Sequence, residues 1–130
     1  MSNDFDRALA EGIVPWKDLC WENSDVLVFR DGFPVTWGHL LFVPKHLNAD
    51  CLLRCFREAM EHGDKMVENH LCQAYNVGIN QGKAAGQTVR YPHVHMIPRR
   101  YGDTPDPVGG VRNVVEGQGN YHSESYKIPR

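Results

Sequence analysis

Residues Tyr91–Arg100 read YPHVHMIPRR, and this run decides the fold. Side chains at i and i+2 of an extended segment project from the same face, so a strand here sets His93 and His95 side by side above a sheet. Arg99 and Arg100 follow and add fixed positive charge. Paired imidazoles beside cations suit an anion such as phosphate, whereas a metal site gathers carboxylates or thiolates. One histidine nitrogen can attack phosphorus while the other is held by a hydrogen bond. His93 is the expected nucleophile, and His95 the group that steadies a phosphate oxygen or protonates the leaving group.

Immediately upstream, Gly86, Gln87 and Thr88 offer backbone amides, a side-chain amide and a hydroxyl, and Asn80 precedes them. A glycine-containing turn of this kind brings N–H groups close to phosphate oxygens. Further out, three more strands are expected from apolar runs bounded by turn residues: Asp25 to Arg30, Gly38 to Val43 stopped by Pro44, and Ala74 to Asn80. The first two form a hairpin across DGFP. Between the second and third, Leu52, Leu53, Phe56, Met60, Met66, Val67 and Leu71 recur at helical spacing among charged residues. That pattern predicts one long amphipathic helix from Asn48 or Asp50 to about Leu71, capped by one of those two side chains and weakened at Gly63.

The 130 residues suffice for one domain with a real core. A formal charge of −2 gives no basic field to draw in long nucleic acid. The N-terminus lacks an apolar leader and no run is long enough to span a bilayer, so a cytoplasmic protein without membrane contact is expected. Cys20, Cys51, Cys55 and Cys72 form no CxxC pair and read as free thiols. The region 101–130, rich in glycine and proline, is expected to cross the surface, ordering against a partner. His62, His70 and His122 read as surface histidines without a role.

The run GQTVRYPHVHMIPRR resembles the signature of the histidine triad (HIT) superfamily, in which a GQ[ST]V element leads into HxHxH. VLVFRDGFPVTWGHLLFVPKH resembles the first half of the same family. The resemblance implies that His93 is the nucleophile forming a covalent nucleotidyl-histidine and that His95 contacts phosphate. It also implies that His39 lies beside the pair, that Asn80 and Gln87 contact phosphate, and that Thr88 stands near the leaving group. Asp31 would hold the ribose hydroxyls, with Phe29 and Gly32 bordering the base and sugar. Two positions depart from the family pattern: Tyr91 replaces the first triad histidine, and Trp37 replaces a proline. What the nucleophile takes from the first position is a backbone carbonyl, which tyrosine also supplies, so activity is expected to survive.

The sequence therefore predicts a single α+β domain over residues 1–130, with about five antiparallel strands and one long helix packed on a face. The family resemblance implies a homodimer. The expected activity is hydrolysis of a nucleoside phosphate, a dinucleoside polyphosphate or a phosphoramidate, at the α-phosphorus, with no cofactor and no metal. Transfer of the nucleotidyl group to another acceptor, nucleotide binding with weak turnover, and a metal-dependent enzyme are the alternatives.

Overall fold

The computed structural model describes residues 2–129. They fall into two compact units, Met1–Arg99 and Arg100–Arg130. The first begins with a short helix, α1 (Asp4–Ala10), and then runs through β1 (Leu19–Glu22), β2 (Val26–Arg30), β3 (Leu40–Pro44), the long α2 (Ala49–Glu68), β4 (Ala74–Ile79) and β5 (Val94–Arg99). All five strands join one antiparallel sheet in the order β1-β2-β3-β5-β4. The α+β class and the long helix match the sequence reading; α1 and β1 are additions to it.

The expected hairpin is β2 and β3, paired from Val26 opposite Pro44 to Arg30 opposite Leu40. The last strand inserts between β3 and β4, with Phe42 opposite Val94 and Val77 opposite Met96. It starts at Val94 rather than at Tyr91, so Pro92 lies outside the ladder and its missing N–H leaves no pairing bond unmade.

Alternation along the strands divides the buried side chains between two faces. Val26, Val28, Leu40, Phe42, Val94 and Met96 pack under α2 against Cys55, Ala59 and Met66. Leu27, Phe29, Leu41, Val43 and Tyr91 face the other way and are covered by Phe5 and Ala8 of α1 with Val14. This is why β2 and β3 read as unbroken apolar runs: both faces are buried. His93 and His95 share the second face.

Asn48 caps α2, its side chain accepting a hydrogen bond from the Cys51 amide at 2.8 Å. The helix stops three residues short of Leu71. His70 takes a left-handed conformation at φ 59°, and the Leu71 and His70 amides return to the Met66 and Val67 carbonyls. Gly63 is not a weak point but a contact: a Cβ there would come within 2.6 Å of the Tyr75 ring on β4. Helix and sheet approach closely because that position has no side chain. All four cysteines are free, and burial pushes the Cys55 thiol up to about 12, so it is an inert core group.

The second unit has its own order, which the sequence reading did not foresee. A 3-10 turn at Gly110–Val114 is tied back by Arg112, whose Nε donates to the Gly119 carbonyl at 2.9 Å and whose guanidinium lies 5.3 Å from the centre of the Tyr121 ring. Gly109 has φ +96°, and a Cβ there would meet the Gly119 carbonyl oxygen at 2.3 Å. No helix among the described residues is long and apolar enough to cross a membrane.

Overpacking a tight contact costs about 1–3 kcal/mol. Gly63→Val is expected to lower unfolding stability by about 2 kcal/mol, seen as an earlier urea midpoint at unchanged m-value. An unchanged midpoint would show that helix and sheet can part there without loss.

Candidate active site

The site is built where β5 begins, beside the start of β3 and the end of β2. His93 sits one residue before β5, buried to 8% exposure, with its Nδ1 2.8 Å from the Tyr91 carbonyl oxygen. A carbonyl only accepts, so Nδ1 carries the proton and Nε2 of the neutral ring keeps its lone pair. Trp16 closes against the ring edge-on at 4.8 Å, restricting the imidazole to this orientation. The position after the first triad place therefore receives what the resemblance required: a carbonyl in the right spot.

The tyrosine side chain has a separate task. Tyr91 is 4% exposed, packs edge-on to Phe5 at 5.7 Å, and donates its hydroxyl to the Pro44 carbonyl at 2.6 Å. Burial raises its pKa, so the phenol stays protonated as a donor. Tyr91 is thus a core residue beneath the site, and its hydroxyl is bonded away from the histidines.

His95 and His39 form a directed pair. The Val35 amide donates to His39 Nδ1 at 3.1 Å, which places the His39 ring proton on Nε2. That nitrogen lies 2.9 Å from His95 Nδ1 and 3.5 Å from the Asp31 carboxylate. His95 Nδ1 is then an acceptor, and its own proton sits on Nε2, a buried atom with no hydrogen-bond partner among the described residues. Burial, reinforced by His93 and His39 and opposed by Asp31, pushes His95 down to about 4. Burial also lowers His39, again against Asp31. At neutral pH His95 is therefore an uncharged ring whose Nε2–H is buried and without a hydrogen-bond partner among the described residues. Gly38, at φ +91° and within 3.2 Å of Met66 and Pro98 for any added Cβ, lets the chain turn tightly enough to bring His39 in.

A cavity of about 500 Å³ opens onto this pair, walled by Trp16, Lys17, Asp31, Thr88, His93 and His95, with Gly32 and Asn80 also on its surface. Three of the other residues expected there stand elsewhere. Phe29 is 4% exposed and lies beneath Trp16, ring centres 6.0 Å apart, so it supports the wall from behind. Gln87 spends its side chain on the loop, Oε1 accepting from the Gly82 amide and Nε2 donating to the Val89 and Arg90 carbonyls. The Gly86 and Gln87 amides are likewise used, donating to the Lys83 and Gly82 carbonyls. The loop is braced rather than open, and of that segment Thr88 reaches the cavity. Arg99 is turned to Asn76 at 2.7 Å. The cations on the cavity wall are Lys17 and Arg30, neither of which the motif signalled.

Asp31, His39 and His95 bring one potential ligand atom each within 4.8 Å of the others, which raises the question of a metal. The Val35 amide answers it. A neutral histidine that binds metal through Nε2 carries its proton on Nδ1 and donates it. Here Nδ1 accepts, so His39 would have to lose its last proton to become a ligand. The arrangement suits a hydrogen-bond chain and does not suit a cation.

A lone-pair imidazole set beside an N–H-donating one, at a cavity whose wall carries Lys17 and Arg30 as well as Asp18 and Asp31, has the chemical parts for group transfer. The HIT domain family model matches residues 16–102, and the chain belongs to that family. It is 31% identical over 125 residues to an uncharacterised HIT-like protein of Methanocaldococcus jannaschii, covering 82% of this chain and 87% of that one. It is 34% identical over 97 residues to an asymmetrical bis(5'-nucleosyl)-tetraphosphatase of Schizosaccharomyces pombe, covering 69% of this chain and 53% of the yeast protein. Among solved structures, a zinc-bound histidine triad family protein from Mycobacterium smegmatis superposes with a TM-score of 0.63 at 29% identity, over 76% of this chain and 81% of that one.

Two outcomes follow from the buried polar groups. With a folded value of about 4 against an unfolded one near 6.5, His95 binds fewer protons folded than unfolded between those limits. Its contribution is complete above about pH 6.5 and is lost as pH falls toward 4. The NMR shifts of its ring should hold the neutral pattern down to pH 5, and a ring charged at pH 6 would contradict the burial described. Tyr91→Phe strands the Pro44 carbonyl and should cost about 1–3 kcal/mol of stability.

Proposed function

We propose that the chain hydrolyses a nucleoside phosphate at the α-phosphorus, and that the leaving group is a phosphate, as in a dinucleoside polyphosphate, in preference to an amine. The observation that carries this reading is the complementary wiring of the two histidines, a lone pair on His93 Nε2 and an unpartnered, buried N–H on His95 Nε2, in two residues that line one cavity.

His93 Nε2 attacks phosphorus, forming a P–N bond as the bond to the leaving oxygen breaks with its electron pair. The ring becomes cationic, and the Tyr91 carbonyl, accepting from Nδ1–H, stabilises that charge. Water then attacks phosphorus, the P–N pair returns to Nε2, the water proton passes to solvent, and the nucleoside monophosphate leaves.

His95 enters as a hydrogen-bond donor, not as an acid. Losing its Nε2 proton would require it to take one at Nδ1 from His39, leaving His39 as an imidazolate beside the Asp31 carboxylate. A phosphate leaving group needs only the hydrogen bond, because its oxygens carry negative charge readily at neutral pH. An amine must gain a proton to depart, and this site is poorly placed to give one. This refines the expected role of His95 and favours the dinucleotide over the phosphoramidate. The Schizosaccharomyces pombe relative, a dinucleoside tetraphosphatase by name, supports the same choice. Asp31 and Gly32 would border the ribose, with Trp16 facing the base. Homodimerisation, implied by the family resemblance, belongs to this reading too; β4 is an edge strand of the sheet.

With a dinucleoside polyphosphate labelled at the α-phosphate, a denatured-quench experiment should capture label on the protein, and His93→Ala should lose it together with about three orders of magnitude of turnover. Wild-type turnover in His93→Ala would overturn the nucleophile. If the label passed to added phosphate or a sugar phosphate faster than to water, the enzyme would be a nucleotidyltransferase.

A further inference from the structure

The hydrogen-bond chain that fixes His95 begins at the Val35 amide, which belongs to the turn joining β2 to β3. Residues 32–37 of that turn are exposed except Thr36, which is half-buried. The Thr36 hydroxyl donates to the Pro98 carbonyl at 2.7 Å. Pro98 lies on β5, three residues after His95. The turn also closes on β5 at Gly38, where an added Cβ would stand 3.2 Å from the Pro98 ring. A surface turn is thus tied to the strand that carries His95.

These contacts form a closed circuit. From His95 the path runs along β5 to Pro98, across to the Thr36 hydroxyl and back one residue to the Val35 amide. It continues to His39 Nδ1 at 3.1 Å and returns from His39 Nε2 to His95 Nδ1 at 2.9 Å. Within the turn, the His39 amide donates to the Thr36 carbonyl and the Asp31 amide to the His39 carbonyl, each at 3.2 Å. Those two bonds shape the turn, whereas the bond from Thr36 to Pro98 sets where the turn stands on the strand.

A neutral imidazole has two tautomers, and its hydrogen-bond partners choose between them. A backbone amide only donates, so as long as Val35 faces Nδ1 the His39 proton stays on Nε2. Asp31, 3.5 Å from His39 Nε2, favours the same tautomer from the other side. Without the Val35 amide the shorter of these two contacts is lost. In the opposite tautomer His39 Nε2 would accept from His95 Nδ1, and His95 Nε2 would carry a lone pair in place of its N–H.

We propose that Thr36 is a positioning residue: by bonding Pro98 it holds the Val35 amide on His39, and so keeps the His95 proton on Nε2. Its effect on turnover rests on the hydrolase reading, in which that N–H donates to the departing phosphate; its effect on the tautomers does not.

The test compares the whole chain with Thr36→Val, which removes the hydroxyl at nearly constant shape, and Thr36→Ser, which keeps it. Long-range proton–nitrogen correlation spectra at neutral pH read the tautomers of His39 and His95 without substrate. Wild type and Thr36→Ser should show one Nε2–H form at both rings. Thr36→Val should populate the second tautomer to about a fifth or more, the result of losing one hydrogen bond. Its kcat for a dinucleoside polyphosphate should fall about fivefold with KM within twofold. Thr36→Ala gives the same reading should the valine variant not fold. Unchanged tautomers in these variants, even with lowered unfolding stability, would make Thr36 a structural contact only and overturn its role. A serine variant that behaved like the valine one would do the same. Altered tautomers in a protein whose wild type fails to hydrolyse the dinucleotide would leave Thr36 standing and remove the hydrolase, whereas hydrolysis with unaltered tautomers would do the reverse.

Discussion

The bond from His93 Nδ1–H to the Tyr91 carbonyl is the constraint on which the site depends. It fixes which nitrogen keeps its lone pair, and it ties the histidine to a residue whose side chain is itself anchored. The Tyr91 hydroxyl holds the Pro44 carbonyl at the end of β3 while the Tyr91 carbonyl holds His93. A histidine at this place would present the same carbonyl but a shorter polar ring, with less apolar surface for the pocket of Phe5, Phe29 and Leu41. Tyr91 thus fills a core position with its ring while its backbone carbonyl serves His93.

A second chain of bonds sets the other polarity. Starting from an ordinary loop amide, Val35, each partner determines the next: acceptor at His39 Nδ1, donor at Nε2, acceptor at His95 Nδ1, donor at Nε2. The endpoint is a neutral N–H in a buried place, useful because it cannot easily become anything else. Asp31 tempers the desolvation of both rings, and its other oxygen accepts from the Phe33 amide at 2.7 Å, which holds the carboxylate in position.

Much of this was legible in the sequence because it rests on local rules. The i, i+2 spacing of His93 and His95, the Asn48 cap and the hairpin around DGFP each follow from a handful of adjacent residues. The long helix and the sheet class came from periodicity sustained over many positions. What stayed hidden depends on residues far apart. Asn3 and Asp6 close a capping box on α1, but the helix has seven residues, too few for its period to show. Trp16 covers His93 from a loop with no pattern of its own, and β1 is short and broken by a register shift between Leu19 and Trp21. Gln87 and Gly86 had the composition of a phosphate cradle, yet the loop turns their polar groups inward to satisfy itself. Phe29 had the right chemistry on the right strand, and only the placement of Trp16 decides that it lies one layer too deep.

The sheet separates two populations of side chains by a single thickness of backbone. Beneath α2 the buried residues pack among themselves, and volume-conserving changes are the ones best tolerated there. On the opposite face, Phe5, Phe29 and Tyr91 pack together next to Trp16 and His93, so a change of volume there shifts those two rings as well. Over evolutionary time the two halves of this core should drift at different rates. The helix side is free to wander, and the side beneath the histidines is held by the placement of the rings above it.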